Sequence, residues 1–278
     1  LLLTCALACA TLAAGAQGIY QFADPGFEGE WRSSEEPGNG WNSFTSARTS
    51  DLLSFIGNIA KNSSPKPSKV EGHNSTTADK LFSNSVMNVN ANGNLTTGRI
   101  NMGNTSPANA KNYNLTDRSS SDNSLRFAGR PDAVSFYAKF TPGAGNQARG
   151  QFILHDDCDY RDPEISDQSG NRVGKASVLI DACTDWTKYE GAFTYDKNST
   201  PEVQYLLGSF TTNPTPGGSK GDELIIDDIH FIYYSTLRGV LYDPAAIDFK
   251  EEVLNYTVDA EYSAIDFTLS LIHISEPK

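Results

Sequence analysis

Carboxylates are the groups in this sequence with the most chemistry to offer, and two constellations stand out by position. Glu28 lies near the start of the long central stretch, and the pair Asp227-Asp228 near its end. A fold that makes neighbours of its first and last strands would bring them together, with Asp24 and the loop around Gly26 alongside. Calcium takes about six to eight hard oxygens from carboxylates and backbone carbonyls, so the expectation is a structural calcium site built from Glu28, Asp227, Asp228 and Asp24. Alternation along a strand puts Asp227 in phase with Ile225, Ile229 and Phe231 on the core face, where an ionised carboxylate has to be paired or metal-bound. Asp228 then points outward with His230. The alternative is a set of surface acids with no metal.

The second constellation is the run from His155 to Glu164, which follows the apolar Phe152-Ile153-Leu154. As a rim loop it would let Asp156 and Asp157 accept hydrogen bonds from sugar hydroxyls while Tyr160 offers a stacking face. It could hold a second cation, although it lacks the glycine and terminal glutamate spacing of an EF-hand loop. The plainer alternative is a solvated acidic loop with Arg161 as counter-ion. Sugars pack their C–H faces on aromatic rings, so the tryptophans matter. Trp41, among Gly38, Asn39, Gly40 and Asn42, reads as an exposed ring; Trp31 joins it as a candidate; Trp186, ahead of Tyr189, Phe193 and Tyr195, reads as core. The chain has no Gly-x-Ser-x-Gly elbow, no His-Glu-x-x-His and no phosphate-cradling glycine loop. His73, His155 and His230 stand in unrelated contexts. Glycoside hydrolysis needs two carboxylates about 5 to 10 Å apart, a separation that no spacing here specifies, so no catalytic residue is nominated.

These residues need elements to hold them. Short runs separated by Gly, Pro, Asn and Asp predict strands over 134–140, 150–155, 175–180, 189–195, 202–210 and 224–234, hence an all-β sandwich. One helix of two turns is predicted over 51–57. The Asn/Ser/Thr/Gly-rich stretch 57–130 reads as short strands joined by long surface loops, with a hairpin of 86–89 and 95–100 about an Asn-Gly turn. The N-x-S/T triplets in this composition read as chance.

With 38% hydrophobic and 10% aromatic residues, 278 residues can bury one sizeable β core. A net charge of -12 argues against nucleic acid, which asks for a Lys/Arg face. Residues 1–16 read as the apolar core and small-residue cleavage site of a secretory signal peptide, cut after Ala16. Ala6 stands where a lipoprotein leader before Cys9 would carry Leu, which weakens a lipid anchor. No later stretch reaches the about 20 apolar residues that span a bilayer. Export permits a disulfide between Cys158 and Cys183, with two free thiols as the alternative. The expected organisation is a sandwich over 17–235, a truncated second β-sandwich over 236–269, and a tail, 270–278, that reads as translated sequencing-adapter sequence.

Three segments carry a family resemblance: Asp24-Pro25-Gly26-Phe27-Glu28-Gly29-Glu30-Trp31 with Gly40-Trp41; Gly129 to Tyr137 with Trp186 to Tyr195; and Glu223 to Phe231. In this order they resemble the carbohydrate-metabolism domain (PCMD) of exported Bacteroidetes proteins, a jelly roll similar to carbohydrate-binding modules. The segment from Leu237 is similar to the start of small β-sandwich domains attached to such proteins, except that Pro244 replaces the usual Gly. The resemblance implies a secreted, periplasmic or outer-membrane-surface protein that binds polysaccharide or oligosaccharide without cleaving it. Its partners would be surface glycan-utilisation proteins. A jelly-roll glycoside hydrolase and a scaffold or adhesion module without a sugar site are the other readings.

Overall fold

The computed structural model describes residues 20–86, 88–144, 147–196, 202–243 and 248–258, from residue 234 onward as backbone alone. The expected leader and tail lie outside these residues. A helix, α1 (Ser54–Ser63), precedes the strands β1 (Ser68–Val70), β2 (Ala78–Phe82), β3 (Asn84–Val86), β4 (Val89–Ala91), β5 (Asn94–Thr96), β6 (Arg99–Met102), β7 (Asn112–Thr116) and β8 (Leu125–Arg126). The longer strands follow: β9 (Ala133–Thr141), β10 (Ala148–His155), β11 (Tyr160–Asp162), β12 (Arg172–Ile180), β13 (Cys183–Ala192), β14 (Thr194–Tyr195), β15 (Tyr205–Thr211), β16 (Glu223–Asp243) and β17 (Asp248–Val258).

Two antiparallel sheets form the body. The first runs β1-β2-β16-β9-β13, with β17 paired to β16; the second runs β14-β12-β10-β15-β5, with β8 paired to β15. Alternation explains why they stack. Val134, Phe136, Ala138 and Phe140 of β9 point inward, as do Ala148, Phe152 and Leu154 of β10, and all are buried in one cluster. Phe136 meets Phe210 at 5.0 Å edge-on, and Phe152 meets Phe231 at 6.1 Å, so rings from both sheets interlock.

The outer face of the second sheet is also covered. A small sheet, β11-β7-β6, lies over it, with Tyr160 packed on Ile153 and Leu207. Burial on both sides leaves every residue of β15 buried, which is why that strand reads as an unbroken run rather than an alternation.

Several local expectations shift. The helix starts at Ser54 because Leu52 closes a turn onto Thr49 (3.0 Å) ahead of it. The hairpin is one strand earlier than expected: β3 pairs β4 with Val86 opposite Val89, while β5 joins the second sheet. β16 continues to Asp243 and pairs with β17.

Candidate functional site

The opening segment and the last strand of the sandwich meet. Gln21 Nε2 donates to the Phe231 carbonyl at 2.6 Å while its Oε1 accepts from Phe231 N–H at 2.7 Å, and Ile229 N–H donates to the Pro25 carbonyl at 2.9 Å. This lays the turn from Asp24 to Gly29 against Asp227 and Asp228. Loop 71–77 closes over them. Asp227 Oδ2 accepts from His73 N–H (2.7 Å) and Ser75 Oγ (2.9 Å), and Oδ1 from Asp228 N–H (2.8 Å). Asp228 Oδ2 lies 2.8 Å from His73 Nδ1. Glu28 accepts from Thr77 N–H (2.7 Å) and from the Thr76 hydroxyl.

Gly26 sits in the middle. A Cβ there would stand 3.1 Å from Asp227 Oδ1, 3.7 Å from Asp228 Oδ1 and 3.8 Å from Glu28 Cγ, so three acidic side chains border a space that only glycine leaves open. Asp24 has a different job: its oxygens cap the turn, accepting from Glu28 N–H, Gly29 N–H and Asn39 Nδ2, each at 2.9 Å. Burial raises the Asp227 carboxyl above its ordinary range, and the His73 and Ser75 donors pull it back; the Thr76 hydroxyl leads in lowering Glu28.

The expected phase of Asp227 is corrected. Leu224, Ile226, Ile229 and Phe231 are the core residues of β16, because one extra residue interrupts the pairing: Asp227 faces Tyr137 but His230 faces Ser135. Asp228 takes up that β-bulge with a φ of 51°. Asp227 is therefore on the outer face, buried under loop 71–77 rather than in the core.

The expected sugar platform is also corrected. Trp41 is 1% exposed, stacked on Phe22 at 5.2 Å, and Tyr160 is 0% exposed under the small sheet, so neither offers a ring to solvent. Trp31 is buried too, its Nε1 donating to the Phe27 carbonyl at 3.1 Å. Trp186, expected in the core, is half-exposed on the outer face of the first sheet beside His73 and Tyr137. In the acidic loop, Asp156 is held by Asn171 Nδ2 (2.9 Å) and Asp157 by Arg118 (3.0 Å). Arg118, not Arg161, is the counter-ion; Arg161 lies over the Tyr113 ring at 4.0 Å. Cys158 and Cys183 are free, the first beside His155 and the second beside Ala138 of the neighbouring strand β9. His155, Asp156 and Cys158 are the one group of such side chains, among the described residues, whose donor atoms all lie within 4.8 Å of one another. The oxygens of the Glu28–Asp227–Asp228 edge are more widely spread.

A concave feature lies elsewhere, on the uncovered end of the second sheet's outer face. A cleft of about 450 Å³ lies there, within the roughly 300–1,000 Å³ of small-molecule sites. Its floor is cross-strand: Thr211 of β15 pairs with Arg149 of β10 on one side and with Asn94 of β5 on the other. Its walls come from α1, the β3–β4 hairpin and the small sheet, with Ile56, Val89, Ile100 and Met102 among them. Arg149 Nε and Thr211 Oγ1 have no hydrogen-bond partner within the protein, and neither has Gln151 Nε2, two residues further along β10 on the same face. Asp162 stands 3.8 Å from Arg149. The polar positions at alternate places in Ala148-Arg149-Gly150-Gln151-Phe152 are the sequence signal for this floor. It was obscured because the walls come from segments distant along the chain.

No protein-family model matches the chain, and no curated protein does. Among solved structures it is similar to a family 61 carbohydrate-binding module in complex with β-1,4-galactotriose, at 14% identity and a TM-score of 0.33 over 74% of this chain and 92% of that one. It is similar to a family 28 module specific for non-crystalline cellulose, at 12% and 0.33 over 75% and 96%. It also resembles the enzymatically active domain of tailspike protein 4 of bacteriophage CBA120, at 12% and 0.34 over 60% of this chain, spanning only 17% of that one. These likenesses concern the β-sandwich alone; what the chain binds has to be argued from its own cleft.

Proposed function

We propose that this chain is a jelly-roll module that binds a neutral oligosaccharide, without cleaving it, in the cleft of the second sheet. The carrying observation is the pair of partnerless polar atoms on side chains of the cleft floor, Arg149 Nε and Thr211 Oγ1. Buried polar groups in folded proteins are nearly always bonded, so unpartnered atoms on the side chains of a cleft floor favour a polar ligand or its bridging waters there. Asp162 is the one carboxylate among the cleft's described lining residues, where the usual hydrolysis needs two, which favours binding over turnover. Thr211→Val tests this: it removes a hydroxyl that bonds nothing in the free protein. Affinity for a retained glycan should fall about tenfold with stability held. Unchanged affinity, or no retention on any plant, host or microbial polysaccharide, would sink the reading.

The edge of Glu28, Asp227 and Asp228 supports a structural calcium as a second part of the proposal, since an oxygen of Asp227 and one of Asp228 border the space at Gly26, with the Glu28 side chain beside them. The hydrogen bonds already on these carboxylates mean that a cation would reinforce the clasp rather than create it. Chelation should lower the melting temperature, and Glu28→Gln should remove that effect. An identical melt with calcium and with chelator would end the calcium reading. The leader-like residues 1–16 support a place outside the cytoplasm, secreted, periplasmic or at the outer-membrane surface, beside glycan-utilisation proteins.

A further inference from the structure

We infer that the cleft is built for an acetyl-bearing sugar, an N-acetylated or O-acetylated unit of a neutral glycan; the inference rests on the cleft being the glycan site. It comes from matching the donor chemistry of the floor to the apolar walls.

The Arg149 guanidinium, part-exposed on the cleft floor, can only donate, so the group that meets it has to accept. A carboxylate would accept, but the cleft does not favour an anion. Asp162 stands 3.8 Å from the Arg149 guanidinium and offsets its charge, and the whole chain carries a net charge of -12. A neutral carbonyl oxygen is the acceptor that remains. Sugar hydroxyls also accept, yet they are small and polar all round, whereas Ile56, Val89, Ile100 and Met102 present aliphatic carbon beside the floor. Flat pyranose faces pack best on aromatic rings, and no tryptophan is among the described residues of the lining. Of the lining aromatics, Tyr113 has the Arg161 guanidinium 4.0 Å over its ring. An acetyl group carries a carbonyl oxygen and a methyl group on one carbon. It meets the Arg149 donor with one end and the aliphatic wall with the other.

The test uses the full chain and pairs of ligands that differ in acetylation: N,N′-diacetylchitobiose against cellobiose, and acetylated xylan oligosaccharides against the same material after mild alkali. Calorimetry should show the acetylated member of at least one pair bound roughly 10- to 100-fold more tightly. Val89→Asn, a half-buried wall position, should reduce that ratio while a thermal melt confirms that the variant is folded. Equal affinity for both members of each pair would overturn the acetyl inference and leave the glycan reading standing. A preference that survives both Val89→Asn and Thr211→Val would place the acetyl group outside this cleft and overturn the inference as well. Retention of no glycan, acetylated or plain, would remove the glycan reading together with it.

Discussion

Asp227→Ala isolates the clasp that joins the two ends of the sandwich. The wild-type carboxylate accepts from His73 N–H at 2.7 Å, Ser75 Oγ at 2.9 Å and Asp228 N–H at 2.8 Å, and it is fully buried. Ser75 is only partly buried and can turn its hydroxyl to water, so its loss is small. The His73 and Asp228 amides are part-buried too, but they are fixed in the backbone and cannot turn as a hydroxyl can. A donor left unpaired costs about 1–3 kcal/mol when buried, the lower part of that range applying to these two. Set against this is the relief of no longer burying a carboxylate, which the upward push on Asp227 reflects. The net expectation is a loss of about 2–4 kcal/mol, or roughly 4–16 °C in Tm at about 2–4 °C per kcal/mol for a chain of this size. Asp227→Asn keeps the shape and one acceptor oxygen and should lose about half as much. Thermal and urea unfolding give the total, and hydrogen exchange at His73 and Thr77 should speed up selectively, since loop 71–77 is what the carboxylate holds. A change under about 0.5 kcal/mol with unchanged exchange at those amides would refute the clasp.

Three further outcomes follow from buried groups. Asp79 is fully buried with both oxygens unpartnered, and burial pushes its carboxyl well above the ordinary range. The folded state therefore keeps its proton longer than the unfolded state, and stability falls as pH rises from the unfolded value of 3.8 through the folded one. Asp79→Asn should be at least as stable as wild type at pH 8 and lose that pH dependence; a less stable variant at pH 8 would contradict it. His155 is lowered from 6.5 to about 4 by burial, so its stability contribution is present above pH 6.5 and drains away as pH falls through about 4. That amounts to roughly 3 kcal/mol, and His155→Gln should flatten this acid limb in melts between those pH values. The Cys158 thiol, pushed up to about 12 by burial, should resist iodoacetamide at pH 8 in the folded chain and react after denaturation, as read by peptide mass; rapid native alkylation would contradict its environment.

The strands were legible because burial on one face prints alternation on a sequence, as in Val134, Phe136, Ala138 and Phe140. The same reasoning failed at Asp227, where a single residue in the left-handed region, Asp228, shifts the phase; an aspartate can adopt that φ, and nothing in its type announces that it does. Trp41 misled for a different reason. Its glycine and asparagine neighbours do mark a turn, with Trp41 N–H bonded to the Gly38 carbonyl at 3.1 Å, but the turn folds the ring inward onto Phe22 and Phe27. Local composition reports the backbone's path and not the side chain's direction. The Asn-rich stretch offered little apolar pattern because much of it serves as cleft wall, through residues such as Asn90, Asn94 and Asn112. The meeting of Glu28 with Asp227 could be anticipated only from a fold that joins first and last strands, while the hydrogen bonds from loop 71–77 had no signal in the sequence at all.

The most direct test of the glycan reading is amide chemical-shift mapping of the isotope-labelled chain with the best-retained oligosaccharide. Saturable shifts should concentrate at Asn94, Tyr113, Arg149 and Thr211, the floor and wall of the cleft. Shifts confined to His73, Tyr137 and Trp186, the aromatic group on the outer face of the first sheet, would contradict the account.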